Sequence, residues 1–267
     1  MTSSHSFIAD SLAKITLDPG LPRLTWYGPD FERIELSGAV LNNWVNKTTN
    51  LIVEEFEAQA SVEVALDLPP HWRSLTWALA TLLTGSTLTL AAPSPTAAVL
   101  VTDRPDTEIA TGRGRTTDLV AVTLAGLARK YPGELPSGAI DAASAVMTYG
   151  DAVWQKFEVD PGAVAIAAGA DTTNPVAVSY ADLPGWVMPG SPERHLVRCV
   201  AVGELVDGQA YAAARAAALL DLVSRCLGIW AAGGSAVILS QEIQAELASD
   251  PDRLARIIAS ERVTAGN

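Results

Sequence analysis

Apolar residues recur with two different periods along this 267-residue chain, and each period indicates whether a segment is a strand or a helix. The stretches LPRLTWYG and RIELS flank the turn PDFE, with Leu24 and Trp26 and then Ile34 and Leu36 at alternate positions. This alternation predicts a β-hairpin. Ser37 can then cap a long helix, GAVLNNWVNKTTNLIVEEF, whose apolar residues follow a helical period and predict a core-facing stripe. The stripe comprises Val40, Leu41, Trp44, Val45, Thr48, Leu51 and Ile52.

Strand-like and helix-like segments then alternate. The strand SVEVALDLP stops at Pro69 and Pro70, a helix follows from about His71 to Thr84, and STLTLAA is again a strand. This order is typical of a βαβ unit, in which a right-handed crossover joins parallel strands. We expect further strands at 97–103, 119–124 and 195–202, an Ala-rich helix over 208–226, the strand GGSAVIL and two final helices. The predicted fold class is therefore α/β, a mostly parallel sheet with helices on both faces.

The same patterns suggest one domain over residues 23–267, preceded by an N-terminal leader over residues 1–22. The leader resembles a short amphipathic helix and lacks the basic and long apolar regions of a signal peptide. The pattern weakens near 125–160, which would divide the domain into two sublobes, and AIDAASAVMTYGDAVW in this region is expected to form one helix and the segment by which the chain leaves it.

The charge of the chain narrows the range of partners. A formal net charge of −12 at pH 7 would repel phosphate backbones and anionic membrane surfaces, so we expect no nucleic acid and no membrane as partner. The uncharged stretch from Leu75 to Ala92 contains several Thr residues, and its period changes from helical to strand-like at Gly85. We interpret it as a buried helix leading into a buried strand. The presence of only two cysteines and the lack of a secretory context lead us to expect a cytoplasmic protein.

Other candidate chemistry is sparse. Cys199 and Cys226 lack the paired spacing of a zinc site and are expected to be reduced, buried thiols. The three histidines lie far apart in sequence, so we expect no metal site and no cofactor. The Gly/Arg segment at 111–115 could hold an anion but is more simply a solvated loop, and Ser235 precedes its strand, unlike the serine of a hydrolase elbow.

The segment 164–183, VAIAAGADTTNPVAVSYADL, suggests a strand, a Gly/Thr/Asn/Pro loop, a second short strand and the start of a helix. Together with the hairpin, VEVALDLPPHWRSLTWALATLLTGSTLTLAA, the Ala-rich helix with GGSAVIL, and the terminal RIIASERVT, it resembles the N-terminal part of the adenylate-forming superfamily. That group includes acyl-CoA synthetases and other AMP-binding ligases. The resemblance covers roughly residues 20 to 265 and lies mostly in pattern.

In that superfamily this loop has the form S-G-T-T-G-x-P-K-G and binds the phosphates of ATP through backbone N–H groups, hydroxyls and a lysine. Aligned on Pro175, the loop here carries Gly169, Asp171, Thr172 and Thr173, while the glycines of the motif and its lysine are replaced. A carboxylate about 4 Å from a phosphate oxygen would repel it by roughly 1 kcal/mol in water and roughly 4 kcal/mol at an effective dielectric constant of 20. The five candidate site residues are Gly169, Asp171, Thr172, Thr173 and Pro175.

The resemblance has a second implication. In relatives, the ribose-binding Asp, the hinge and the C-terminal domain with its catalytic Lys lie beyond the region that matches, and this sequence stops at Asn267. We therefore expect a non-catalytic relic that acts as a binding, regulatory or assembly protein. The alternative is a half-enzyme that binds an acyl or aryl carboxylate, or an adenylate-like ligand, and works with another chain. Self-association through the helix 208–226 or the final helices is a third hypothesis.

Overall fold

The computed structural model describes residues 6–90, 96–110, 117–168, 176–202 and 208–266. The helices are α1 (Phe7–Ile15), α2 (Gly38–Phe56), α3 (Trp72–Leu83), α4 (Pro105–Ala110), α5 (Ala142–Ala145), α6 (Leu183–Trp186), α7 (Gly208–Ala231), α8 (Gln241–Ala248) and α9 (Pro251–Ser260). The strands are β1 (Pro22–Tyr27), β2 (Arg33–Ser37), β3 (Glu63–Asp67), β4 (Thr87–Leu90), β5 (Val99–Thr102), β6 (Asp118–Ala121), β7 (Ile140–Asp141), β8 (Val164–Ala168), β9 (Val176–Ser179), β10 (Arg194–Arg198) and β11 (Ser235–Leu239).

The strands form two sheets, not the single growing sheet that the sequence suggested. One has the order β10-β11-β1-β2 and the other the order β7-β6-β5-β3-β4-β8-β9. Within both sheets the pairs are parallel except for β1–β2 and β8–β9, which are antiparallel. The α/β class with mostly parallel pairing is therefore confirmed. The sheets separate because β1 pairs with β11, from the other end of the described chain, and not with β3.

Helix α3, which connects β3 to β4 in the predicted βαβ unit, is deeply buried. Every residue from Trp72 to Leu82 is buried, and the helix packs against α1, α2 and α7. This burial explains the lack of charge from Leu75 onward, because no face of the helix meets water. Arg73, in the first turn, is buried as well, and its guanidinium stacks on Trp72. The prediction of a buried helix leading into the strand β4 is confirmed. Among the helices that the structure describes, none has the length and apolar character needed to cross a bilayer.

Helix α2 follows its sequence pattern closely. The Ser37 hydroxyl accepts a hydrogen bond from the backbone N–H of Val40 at 3.3 Å, which confirms the predicted cap. The stripe packs inward as predicted, with one exception: Val40 is 42% exposed. It precedes Leu41 by one position and so lies about 100° around the helix, at the margin of the stripe.

The single helix expected over 139–154 is much shorter in the structure. It is reduced to the four residues of α5 and a 3₁₀ turn at Val146–Thr148. Side chains of α2 explain the stop: Asn46, Lys47 and Asn50 donate hydrogen bonds to carbonyl oxygens of residues 149–152. Because those carbonyls bind α2, the chain leaves the helix there and runs along α2.

The leader helix α1 forms as predicted. Its apolar residues Ile8, Leu12 and Ile15 are buried, and it packs mainly on α7. The Ser6 side chain caps it by accepting from the N–H of Ala9 at 3.1 Å. The domain boundaries given by the sequence stay a prediction.

Candidate functional site

The carboxyl ends of strands from both sheets open on one cleft. Ligands of open α/β sheets bind outside this end of the strands, so a binding site is expected here. Two adjoining cavities of about 760 and 150 Å³ lie there and share Pro69, Pro70 and Glu242. We call the two cavities together the carboxyl-edge cleft. The larger cavity is lined by Trp26, residues 29–34, 69–71 and 124–128, and Glu242.

Each wall of the larger cavity follows directly from a strand. Residues 28–32 connect β1 to β2, residues 68–71 follow β3, and residues 122–128 follow β6. Glu242 lies in the first turn of α8, directly after β11. The fold therefore brings into one cleft four segments that are far apart in sequence.

Glu32 joins two of these segments. Its Oε2 accepts a hydrogen bond from Trp26 Nε1 at 3.0 Å, and its Oε1 accepts one from the backbone N–H of Gly126 at 2.7 Å. The Glu32 carboxylate can lie this close to both backbone segments because residues 28 and 126 are glycines. A Cβ at Gly28 or at Gly126 would lie 2.6 Å from a Glu32 carboxylate oxygen. The hairpin loop and the loop after β6 are thus held in a defined relation to each other.

The floor of the cleft is formed by aromatic rings. The rings of Trp26 and His71 meet edge to face with centroids 4.6 Å apart. His71 also caps α3, since its Nδ1 accepts from the N–H of Arg73 at 3.1 Å. Burial, with a smaller contribution from Arg73, lowers the pKa of His71 to about 3. The imidazole is therefore neutral at neutral pH and serves as a cap and a packing surface.

Arg73 lies beneath this floor. Its guanidinium stacks at 4.5 Å from the Trp72 ring centroid and 5.3 Å from that of Trp44, and Nη2 donates to the carbonyl of Gly126 at 3.0 Å. Burial lowers the pKa of Arg73, and the Glu32 carboxylate opposes this shift. The side chain braces the loop after β6 from below.

The smaller cavity ends on a buried cluster of ion pairs. Arg215 of α7 is 4% exposed. Its Nη2 donates to the backbone carbonyl of Asp67 at 3.0 Å and to the Asp103 carboxylate. Its Nε lies 3.4 Å from Asp67 Oδ1. Arg104 Nη2 lies 2.7 Å from Asp67 Oδ2, and the Tyr211 ring contacts both guanidiniums. Burial opposes the charge on Arg215, but Asp103 and Asp67 outweigh it and raise the pKa of Arg215. Both cations of the cluster already have carboxylate partners.

A third arginine borders the larger cavity and is engaged as well. Arg33 Nε lies 2.8 Å from Glu261 Oε1, and its Nη2 lies 2.6 Å from Glu35. Burial opposes the charge on Glu261, but hydrogen bonds from Arg33, Tyr27 and Arg194 lower the pKa of that carboxyl. The Arg33 guanidinium is thus paired with two carboxylates, one on β2 and one at the end of α9.

Sequence reasoning missed the most exposed apolar residues of the site. Phe31, at the hairpin tip, is 87% exposed, and Leu127, in the loop after β6, is 90% exposed. Both line the larger cavity. A signal was present in the turn PDFE: a two-residue hairpin turn favours Asn-Gly or Asp-Gly, and Asp-Phe is a departure from that preference.

The predicted site residues Gly169, Asp171, Thr172, Thr173 and Pro175 lie outside the described residues, as does the segment 111–115. The flanking strands are described and match the prediction. Ala168 ends β8 and pairs with Leu90, so the chain leaves the sheet at the carboxyl edge and returns as the antiparallel strand β9.

The two cysteines are unpaired and buried, as predicted. Burial raises the pKa of Cys199 to about 12 and that of Cys226 well above its usual value. Within the described ranges, no group of three or more His, Cys, Asp or Glu side chains could hold a metal ion.

Several solved structures have a fold similar to that of this chain. The Brucella canis acyl-CoA synthetase has a TM-score of 0.65 at 15% identity, over 89% of this chain and 43% of that protein. The fatty acyl-adenylate ligase from L. pneumophila, in complex with acyl adenylate and pyrophosphate, has a TM-score of 0.62 at 11% identity, over 98% and 44%. The fold of this chain is similar to that of acyl-CoA synthetase N-terminal domains.

The resemblance inferred from the sequence is thereby confirmed at the level of fold. The ligase-like chain spans about half the length of the solved structures it matches. A curated relative of similar length, a TIGR03089 family protein of Mycobacterium tuberculosis (strain ATCC 25618 / H37Rv), is 29% identical over 255 residues, 92% of this chain and 91% of that protein. No protein-family model matches the chain.

Proposed function

We propose that this protein is a non-catalytic binding protein built on a ligase-like fold, with a regulatory or assembly role. The observation that carries the proposal is the composition of the loop that would hold phosphates: Asp171 and Val176 stand where the superfamily motif has a threonine and the lysine. A triphosphate bound there would meet a carboxylate and no compensating cation from the motif.

The charges of the described cleft support the same proposal. Arg215 and Arg104 are neutralised by Asp67 and Asp103, and Arg33 is paired with Glu35 and Glu261. Any of these guanidiniums that moved to a triphosphate would leave a carboxylate partner behind. For the buried Arg215 this loss would be costly, because a buried charge without its partner is strongly destabilising.

The cleft itself supports a binding role. Small organic ligands occupy pockets of about 300–1,000 Å³ that are mostly apolar with a few polar groups. The larger cavity, of about 760 Å³, falls in that range and is lined by Trp26, Ile34, Leu124 and several prolines. Loss of nucleotide chemistry therefore leaves a surface that can still recognise a partner.

An ATP–pyrophosphate exchange assay with a panel of acyl and aryl carboxylic acids tests the proposal. We expect no exchange above the level without enzyme, while an active acyl-CoA synthetase run in parallel shows that the assay works. Robust exchange that depends on both ATP and an acid would refute it.

A second candidate is a half-enzyme that holds a carboxylic acid or an adenylate-like ligand and works with a separate chain. The smaller cavity favours it, because about 150 Å³ beside Tyr211, Arg215 and Gln241 could accept a small polar group. This candidate predicts that an acid, a CoA ester or a nucleotide raises the melting temperature. No shift with any of these ligands would count against it.

Self-association in a cytoplasmic setting is the third part of the proposal. The apolar residues of α7 are already used inside the protein, since Leu219, Leu222 and Val223 are buried. We place the self-association surface on the final helices, the other candidates, where Leu254 and Ile258 of α9 are only partly buried. Light scattering at micromolar concentration tests this, and a monodisperse monomer would contradict it.

A further inference from the structure

The tip of the β1–β2 hairpin holds a bulky side chain in a backbone conformation that such residues seldom adopt. The N–H of Glu32 donates to the carbonyl of Pro29 at 3.0 Å, and the two residues between them, Asp30 and Phe31, have φ angles of 54° and 61°. Positive φ at both central positions defines a type I′ turn, which usually contains glycine or asparagine. For phenylalanine this region is an outlier, and such strain concentrates where a residue serves binding.

The strained side chain points its ring at solvent. Phe31 is 87% exposed, and its ring contact is a cation–π contact with Arg253 at 5.6 Å from the ring centroid. Burial inside this protein therefore does not account for an aromatic residue at this position. A glycine would form the same turn without strain.

A second exposed apolar residue lies on another wall of the same cavity. Leu127 is 90% exposed and lines the larger cavity together with Phe31. The two loops are held in place by the Glu32 carboxylate, which binds Trp26 Nε1 on the hairpin side and the N–H of Gly126 beside Leu127. The loops that carry Phe31 and Leu127 are thus preorganised, which lowers the entropic cost of binding.

The rim of the cavity is acidic. Asp30 and Glu242 are exposed carboxylates that line it, and neither makes a hydrogen bond or ion pair within the part of the chain that the structure describes. The Arg33 guanidinium, in contrast, is engaged by Glu35 and Glu261. With a chain charge of −12, the cleft attracts cations and repels anions.

We propose that the carboxyl-edge cleft docks a segment of a partner protein that combines apolar side chains with lysine or arginine. Its apolar side chains enter between Phe31 and Leu127, and its cationic groups face Asp30 and Glu242. The inference rests on the proposed binding role and names the chemistry of the partner. Apolar anchors in a groove and complementary charges on the rim are how amphipathic segments are generally recognised.

The probe for this proposal is a labelled synthetic amphipathic peptide of about 18 residues, with leucines on one face and lysines on the other. Its binding to the whole chain is measured by fluorescence anisotropy. We expect saturable binding that weakens with added salt, and no binding of the matched leucine–glutamate peptide. Equal binding of the two peptides would overturn the proposal.

Two variants separate binding from folding. Phe31→Gly relieves the positive-φ strain, so we expect an unchanged or higher melting temperature together with about tenfold weaker peptide binding. Leu127→Ser should weaken binding similarly. Trp154→Ser is the matched control, since Trp154 is 92% exposed but does not line the cavity, and it should bind as the unaltered protein does.

The charged rim is tested separately by the double variant Asp30→Asn and Glu242→Gln, which should reduce the salt dependence of peptide binding. Unchanged peptide affinity in Phe31→Gly, or an equal loss in Trp154→Ser, would refute the docking site. Binding of a short alkylamine that saturates the cleft while the peptide fails to bind would assign it to a small amine instead. Pyrophosphate exchange tests only the lack of catalysis, so either proposal can fail alone.

Discussion

The ion-pair cluster at the smaller cavity gives the sharpest test of the structure. Replacing Arg215 with leucine removes a guanidinium that is 4% exposed and leaves the partly buried Asp103, whose side chain is 16% exposed, without its cation. Asp67 is partly compensated, because Arg104 Nη2 remains 2.7 Å from it. Breaking a buried pair by removing one partner costs about 3–5 kcal/mol, so we expect the free energy of unfolding to fall by about 3 kcal/mol near neutral pH.

The pH dependence of this loss has a defined sign. Burial already raises the pKa of Asp103, and Arg215 opposes that shift, so the Arg215→Leu variant should raise this pKa further. A carboxyl with a raised pKa in the folded state binds more protons there than in the unfolded state, which makes stability fall as pH rises toward that pKa. The deficit of the variant should therefore shrink in mild acid, where Asp103 becomes protonated.

Urea denaturation at neutral pH and in mild acid measures both effects. The control is Arg225→Leu: Arg225 forms an i,i+4 pair with Asp221 and is 41% exposed, so its loss should cost about 0.5 kcal/mol or less. The double variant Arg215→Leu with Asp103→Asn should be less destabilised than the sum of the two single variants. A loss below about 1 kcal/mol for Arg215→Leu, or the same loss at both pH values, would contradict the buried-pair assignment.

Two further predictions concern the cleft and the thiols. Glu32→Ala leaves Trp26 Nε1 and the N–H of Gly126 without their acceptor. Urea denaturation should show that the free energy of unfolding falls by about 1–3 kcal/mol. A change within experimental error would show that water replaces the carboxylate. Cys199 should react with thiol reagents only slowly in the native protein and rapidly in urea. Burial raises its pKa to about 12, and the thiolate is the reactive form. Fast labelling of the native protein would contradict the burial of Cys199.

Elements with a local pattern were predictable from the sequence. The hairpin, α2 with its Ser37 cap, and the βαβ unit through α3 each depend on periodicity or capping within a few residues, and each is found in the structure. The ligase-like fold was also accessible, since the order of these local patterns resembles that of the adenylate-forming superfamily. Local periodicity, capping residues and the order of these patterns along the chain were sufficient for these predictions.

Contacts between distant segments were not predictable in the same way. The strands separate into two sheets because β1 pairs with β11, with Leu24 opposite Ala236. No local pattern in either strand predicts which strand it pairs with. The short α5 follows from Asn50 and its neighbours on α2, which bind carbonyls about a hundred residues later. Each failure has the same cause: a long-range hydrogen bond or strand pair overrode a local preference.

Local sequence patterns were enough to locate the hairpin, α2 and the βαβ unit, and the acidic charge and the replaced phosphate-loop residues can be read directly from the chain, because these properties belong to each segment separately. That Phe31, Leu127 and Glu242 share one cleft, and that Arg215 is neutralised by Asp67 and Asp103, became visible only in the folded molecule. The reason is physical: charge pairing, burial and cavity shape depend on which segments meet in space. A side chain's role in this cleft is therefore a property of the fold and not of its neighbours in the chain.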